Sequence, residues 1–282
     1  MLDILSVYLD TLLPLTGDVK DFKFGNRSVA DIIRSRFPAQ MAAAVAVCGN
    51  FIPSPHIAEL LTGDLPVKVV SPEDKSVIAY NCRASSKEIY LDERSVLIRY
   101  PWDLLRLNEQ LLAGLEPDIC GDVRERVTVD GTIQLGEGSV ILPGVYIEGN
   151  VIIGKNCKIG PNCYIRGNTS IGDRCHIGQA VEIKNSILAD HVSIGHLSYV
   201  GDSIIDSDVN FGAGTIISNL RHDGQNHRYL NDGQLLSTGR RKFGAVIGKN
   251  VHTGIHTSIY PGRYLSKGCS TVPGEVVAHS KK

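Results

Sequence analysis

The side chains able to do chemistry in this 282-residue sequence crowd into one part of it. They are Arg166, Glu182, Lys184, His196, Tyr199, Asn210 and Asn219, followed by the run Arg221-His222-Asp223-Gly224-Gln225-Asn226. Two cations, a carboxylate, an imidazole, a phenol and two amides are the parts of a site for a polar ligand. Any one of them alone reads as an exposed polar residue, so the weight lies on the set. His191 and His196 stand five residues apart and invite a metal. A tetrahedral catalytic zinc usually takes three protein ligands, however, and no histidine lies between Val123 and His176. Residues 1 to 97 add no Gly-rich phosphate loop and no carboxylate pair placed for a metal. His56 there reads as a surface or helix-end histidine.

The elements that must position these groups follow from a six-residue period. Aliphatic residues fall at Val123, Val129, Leu135, Ile141, Ile147, Ile153, Ile159, Ile165, Ile171, Ile177 and Ile183. Neither a helix nor an alternating strand has that period. It is the signature of a parallel β-helix, whose short strands stack coil upon coil. Cys157, Cys163 and Cys175 take the small inward position of the repeat and read as core filling. The register slips to Leu188, Ile194 and Val200, and again to Ile205, Phe211 and Ile217. It breaks over residues 220 to 243, then returns at Ile247, Ile259 and Leu265. A stacked coil tolerates additions that loop outward, and such excursions commonly carry function. The chemically able side chains gather around these breaks.

Ahead of the repeat the pattern changes. Leu2, Leu5, Leu9 and Leu12 line one face of a short amphipathic helix over Met1 to Leu15, which reads as no signal peptide. Ser28 can cap a helix through Phe37, and Ser54 to Leu61 also looks helical. Ala43 to Cys48, Val67 to Val70, Val77 to Tyr80 and Val96 to Ile98 look like strands. Pro101 can open a helix whose apolar face holds Trp102, Leu104, Leu105, Leu107, Leu111 and Leu112, ended by Gly114 and Pro117. The expected order is a small α/β module (1–97), a linker helix (98–118) and a mainly β domain, the hexapeptide β-helix (119–282). A formal net charge of -1 leaves no basic footprint for nucleic acid, and no run approaches a membrane span. Seven cysteines without a CxxC pair suit a reducing cytoplasm.

Two stretches carry a family resemblance. Gly195-His196-Leu197-Ser198-Tyr199-Val200-Gly201-Asp202 and Val209-Asn210-Phe211-Gly212-Ala213-Gly214-Thr215-Ile216 resemble the acetyltransferase domain of the bifunctional N-acetylglucosamine-1-phosphate uridyltransferase family. Tyr164-Ile165-Arg166-Gly167 and Val181-Glu182-Ile183-Lys184 match upstream at the family's spacing. Asn219-Leu220-Arg221-His222-Asp223-Gly224 and Thr238-Gly239-Arg240-Arg241-Lys242 are similar to the archaeal-type branch, whose members acetylate glucosamine-1-phosphate and galactosamine-1-phosphate. Tyr100 to Leu105, with Asn108-Glu109, resembles that family's linker. The resemblance covers about Arg99 to Gly262.

What it implies is a left-handed β-helix, acetyl-CoA as co-substrate, an amino-sugar phosphate as acceptor, and a homotrimer with sites between neighbouring prisms; no tightly bound metal is expected. A histidine titrating near neutrality suits removal of the amine's proton, and His196 matches the general base. Glu182 matches the carboxylate that orients it, and the Ala213 backbone N–H matches the oxyanion donor. Arg166 and Lys184 match the sugar-phosphate ligands, and Tyr199, Asn210 and Asn219 match further sugar and acetyl-CoA contacts. The bacterial branch's lysine after Asp-Gly is met here by His227, two residues later, which leaves Arg240, Arg241 and Lys242 as candidates for the CoA phosphates. Residues 1–97 are too short for the uridyltransferase; Leu12-Leu13-Pro14-Leu15-Thr16 resembles the start of shortened relatives, and no nucleotidyl transfer is expected. Three rivals stay open. One is an acyltransferase for a nucleotide-linked amino sugar. Another is a metalloenzyme like the γ-class carbonic anhydrases, also hexapeptide β-helices, which share the five-residue histidine spacing but need a third histidine about two coils earlier. The last is a non-catalytic scaffold.

Overall fold

The computed structural model describes all residues except Leu13, Thr16, Asn26, Ala42, Ala43, Arg83, Ala84, Ser85, Asp232 and Gly233. The chain divides into a first compact unit that takes in Arg27–Arg99 and a second that takes in Tyr100–Lys282.

In the first unit a five-stranded sheet runs Leu2–Leu5, Val45–Cys48, Val77–Tyr80, Val67–Val70, Lys87–Tyr90 from edge to edge. The helix expected over Met1 to Leu15 is a correction: Leu2–Leu5 is an edge strand, parallel to Val45–Cys48. Leucine spacing there fits a helical period, but pairing along a buried strand outweighs so short a pattern. Helix α1 (Val29–Ser35) starts where Ser28 caps it, with Asp31 completing a reciprocal capping box. Helix α2 (Pro55–Thr62) is capped by Ser54, with Pro55 at its first position. Ala43, expected to open the strand at Cys48, and Leu13 and Thr16 of the Leu12–Thr16 stretch lie outside the described residues.

The second unit is a left-handed parallel β-helix with helix α3 (Pro101–Leu112) packed on it. One ladder stacks Ile119, Leu135, Ile153, Ile171, Leu188, Ile205, Ile247 and Leu265. A second stacks Ile147, Ile165, Ile183, Val200, Ile217, Ile259 and Val277, and a third carries Ile141, Ile159, Ile177, Ile194, Phe211 and Thr253. These inward residues are almost wholly buried, with Cys157, Cys163 and Cys175 filling gaps between them. Ile119, Val123 and Val129 are the exceptions, since they stand on the first coils and are over a third exposed.

Three corners join the three faces. In the chain, the third face leads through the first corner to the second face, and the second face leads through the third corner to the first face. Positive φ recurs at each corner: Arg126, Asn162, Ala180 and Leu197 at the first, Asn156, Arg174, His191 and Asp208 at the second, Gly149, Gly167, Asn185 and Asp202 at the third. Register shows where the period slips. Arg166 pairs with Lys184, eighteen residues on, whereas Ser170 pairs with Ile187, seventeen on, so the lost residue falls at the third corner. The second slip, between Val200 and Ile205, falls there too, and so does the excursion between Ile217 and Ala245. Beyond the first coil, these departures from the period all lie along one edge of the prism.

Candidate active site

Two groups of candidate side chains emerge, one on the second face and one at the first corner. On the face, Tyr164, Glu182 and Tyr199 stack in one column and Arg166 and Lys184 in the next. Arg166 grips Glu182, its Nε 2.8 Å and one terminal nitrogen 2.7 Å from the same carboxylate oxygen. Its guanidinium also lies 5.3 Å from the centre of the Tyr164 ring. At the corner, His196 closes the strand Ser193–His196 and Tyr199 opens the next, with Leu197 in the left-handed conformation between them.

The coil above builds a turn against this corner. Gly214 N–H donates to the His196 carbonyl at 3.0 Å, and Ser198 Oγ donates to it at 2.8 Å. Buried Thr253 and Thr215 brace the turn from inside: Gly212 N–H donates to Thr253 Oγ1 at 3.0 Å and Thr215 Oγ1 to the Gly212 carbonyl at 2.7 Å. Glycine suits position 214, where φ is +75° and a Cβ would press on the His256 ring, 2.5 Å away at Nδ1. The Ala213 carbonyl accepts from His256 N–H, while the Ala213 N–H has no acceptor among the described residues. One unspent backbone donor is thus fixed one coil from His196.

The third corner holds what sequence reasoning missed. Asp202 is 3 % exposed and gathers three donors: Lys184 Nζ at 3.0 Å, Asn219 Nδ2 at 2.6 Å and Asn185 Nδ2 at 3.1 Å. Asn219 Nδ2 also donates to the Tyr199 hydroxyl oxygen at 3.0 Å, so one carboxylate fixes three candidate ligands. A buried carboxylate persists only when so satisfied. The network continues through Asn185 to Glu109 of α3 at 2.9 Å, and Glu109 takes Arg240 at 2.5 and 3.2 Å. Burial opposes ionisation of Glu109, but bonds from Arg240 and Asn185, with the charges of Arg240 and Lys184, hold its carboxyl below the ordinary range. Asn108, fully buried, docks the helix by donating to the Asn168 carbonyl at 2.8 Å and accepting from Ser170 Oγ at 2.6 Å. The available signal was positional: Asp202 sits where earlier coils carry Gly149, Gly167 and Asn185.

His227 is buried within the excursion. Its Nε2 lies 3.0 Å from the Asn219 carbonyl, which only accepts, so that nitrogen carries the proton. Burial, aided by Arg221, pushes its pKa down against the opposing bond to Asn219. It is a neutral brace and offers no charge to a phosphate. Tyr229 and Phe243 pack with Trp102 of α3 beside it, ring centres 5.6 and 6.2 Å away.

The expected residues are therefore not all brought together. Glu182 is spent on Arg166, and among the described residues no side chain hydrogen bonds to the His196 ring. Asn210 lies on the third face between Ser193 and His252, exposed. Arg240 is committed to Glu109, whereas Arg241 and Lys242 are exposed. His191 sits between Arg174 and Asp208, and Lys249 meets the same aspartate.

Known proteins resemble part of this chain. A bifunctional sugar-1-phosphate nucleotidylyltransferase/acetyltransferase of Sulfurisphaera tokodaii is 43% identical over 178 residues, 63% of this chain and 44% of that protein. The bifunctional protein GlmU of Methanococcus vannielii is 45% identical over 162 residues, 57% of this chain and 39% of that protein. The β-helix is related to the acetyltransferase domain of these bifunctional enzymes. The chain spans less than half the length of either relative. Residues 147–267 match the family model described as the GMPPB C-terminal domain. Among solved structures, a UDP-N-acetylglucosamine O-acyltransferase of Moraxella catarrhalis is 14% identical over 55% of this chain and 64% of its own, at a TM-score of 0.27, a likeness too slight to bear on function. No helix among the described residues is long and apolar enough to cross a membrane.

Proposed function

We propose that this chain is an acetyl-CoA-dependent N-acetyltransferase acting on an amino-sugar-1-phosphate, either glucosamine-1-phosphate or galactosamine-1-phosphate. The observation that carries the reading is the first corner, where His196 stands one coil below the unspent Ala213 N–H. The neutral amine attacks the thioester carbonyl, His196 takes the proton the amine sheds, the C–S bond breaks and CoA leaves as its thiol once protonated. The Ala213 N–H meets the developing oxyanion. Acetyl-CoA is the co-substrate, and the reaction as written calls on no resident metal.

Arg166 and Lys184 receive the sugar phosphate, which competes with Glu182 for the Arg166 fork. Once the phosphate takes Arg166, the Glu182 carboxylate is released to orient the His196 imidazole, so acceptor binding itself completes the base. Tyr199, Asn210 and Asn219 supply the remaining sugar and acetyl contacts. Arg241 and Lys242 are the exposed cations left for CoA phosphates, because Arg240 is occupied by Glu109. The working form is a cytoplasmic homotrimer with sites shared between prisms. The first unit is a diverged nucleotidyltransferase remnant without nucleotidyl transfer.

Thiol release from acetyl-CoA in the presence of each sugar phosphate tests the reading. Turnover with at least one is expected, and His196→Ala should lower kcat by roughly 10²–10⁴-fold with an unchanged melting temperature. Absence of turnover with both sugars, or full activity in His196→Ala, would sink it.

A further inference from the structure

The excursion over residues 220–243 does more than brace Asn219. With the end of the following coil it walls a cleft of about 420 Å³, lined among others by Arg221, Asp223, Arg228, Tyr260 and Arg263. Its charge is one-sided. Asp223 is the carboxylate of the lining and is already paired with Arg221, at 2.5 and 2.9 Å. Arg228 is exposed, and its side chain makes no hydrogen bond or ion pair among the described residues. Arg263 donates Nε to the Ala278 carbonyl at 2.7 Å, which fixes the plane of its guanidinium and leaves the terminal nitrogens unspent.

The cleft is also built rather than incidental. Arg228 follows buried His227 and precedes Tyr229, which is 1 % exposed, so strand alternation sends its side chain away from the aromatic cluster. Tyr260 adds an aromatic surface that is 50 % exposed. The contrast with the second face is informative. There Arg166 and Lys184 are each held by a carboxylate, whereas among the described residues neither guanidinium of the cleft, Arg228 or Arg263, is paired with one. Guanidinium forks pair bidentately with phosphate oxygens, and the volume lies within the range of small-molecule sites.

We propose that this cleft binds a phosphate-bearing group, a phosphomonoester or diphosphate, at a position separate from the sugar-phosphate contacts of Arg166 and Lys184. The same chemistry is offered by the phosphates of CoA and by a sugar phosphate. Only the choice between these sources rests on the acetyltransferase reading; binding in the cleft does not.

Calorimetric titration of the full chain with inorganic pyrophosphate, CoA and glucosamine-1-phosphate, each in turn, tests it. Arg228→Glu with Arg263→Glu should weaken pyrophosphate at least tenfold. A parallel loss for CoA alone assigns the cleft to CoA, and a parallel loss for the sugar phosphate alone assigns it to that ligand. Arg228→Glu by itself, at an exposed position, guards against loss of the Ala278 contact and should weaken pyrophosphate in the same direction with an unchanged melting temperature. Unaltered affinity for all three probes in both variants, or no measurable binding of any of them to the wild type, would overturn the proposal. Turnover is measured separately, so an inactive wild type that still binds pyrophosphate through Arg228 refutes the acetyltransferase and leaves the cleft standing.

Discussion

The interior of the prism and its third corner are made on opposite principles. Inside, one aliphatic residue replaces another from coil to coil, and Ile147, Ile165, Ile183 and Val200 do the same work in the same place. At the third corner the repeat is lost partway up: Gly149 and Gly167 give way to Asn185, Asp202 and then to a whole excursion. Stability in the first region is divided among many alike contacts. In the second it is concentrated in a few polar side chains that depend on one another. A repeat can supply a scaffold, and a site for one ligand has to be made where the repeat fails.

Substitutions can break that comparison or sharpen it. The largest effect is expected at Asp202, since Asp202→Ala leaves Lys184 without its buried partner. The cost should be about 3–5 kcal/mol in denaturant unfolding, with KM for the sugar phosphate raised as Lys184, Asn219 and Tyr199 lose their common anchor. Next comes the link to α3. A double-mutant cycle on Glu109→Gln and Arg240→Gln should show coupling of roughly 0.5–3 kcal/mol. Because the folded Glu109 pKa lies below its ordinary 4.5, that coupling is present above about pH 4.5 and fades as pH falls through the folded value. Ile177→Val, deep in the repeat, should cost only about 0.5–1.5 kcal/mol, because neighbouring coils share the load. If it costs more than Asp202→Ala, the contrast between the regions fails.

The smallest effect is a matter of pH. His227 is held neutral by burial, with its folded pKa below the ordinary 6.5, so the unfolded chain binds more protons just below that value. Its contribution is complete above pH 6.5 and is lost as pH falls toward the folded pKa. Melting temperature between pH 7.5 and 5 should fall less steeply in His227→Gln than in the wild type. Equal slopes would show that the excursion does not depend on a neutral imidazole.

How much of this could be read from the chain follows the same division. The β-helix was legible because every sixth residue faces a dry interior that accepts little else, and even the register slips at Leu188 and Ile205 were visible as missing residues. His196 and Ala213 were legible because a local motif carries them, and the structure sets them on adjacent coils. Asp202, Glu109 and Arg240 were not readable as partners, because the bond between Arg240 and Glu109 joins residues far apart in sequence and no period connects them. The strand at Leu2–Leu5 was misread for a related reason: its partner, Val45–Cys48, lies far along the chain.

The ladder also serves as a ruler. Ile183, Val200 and Ile217 are successive rungs, so Lys184 and Ser218 at the edge of the cleft stand two rungs apart. Strand spacing of about 4.8 Å per rung sets the axial distance between these two backbone positions near 10 Å. Nothing short of adding or removing a rung can adjust that distance. A ligand reaching from one position to the other would be gauged in whole steps, with any fraction of a rung absorbed by side chains alone.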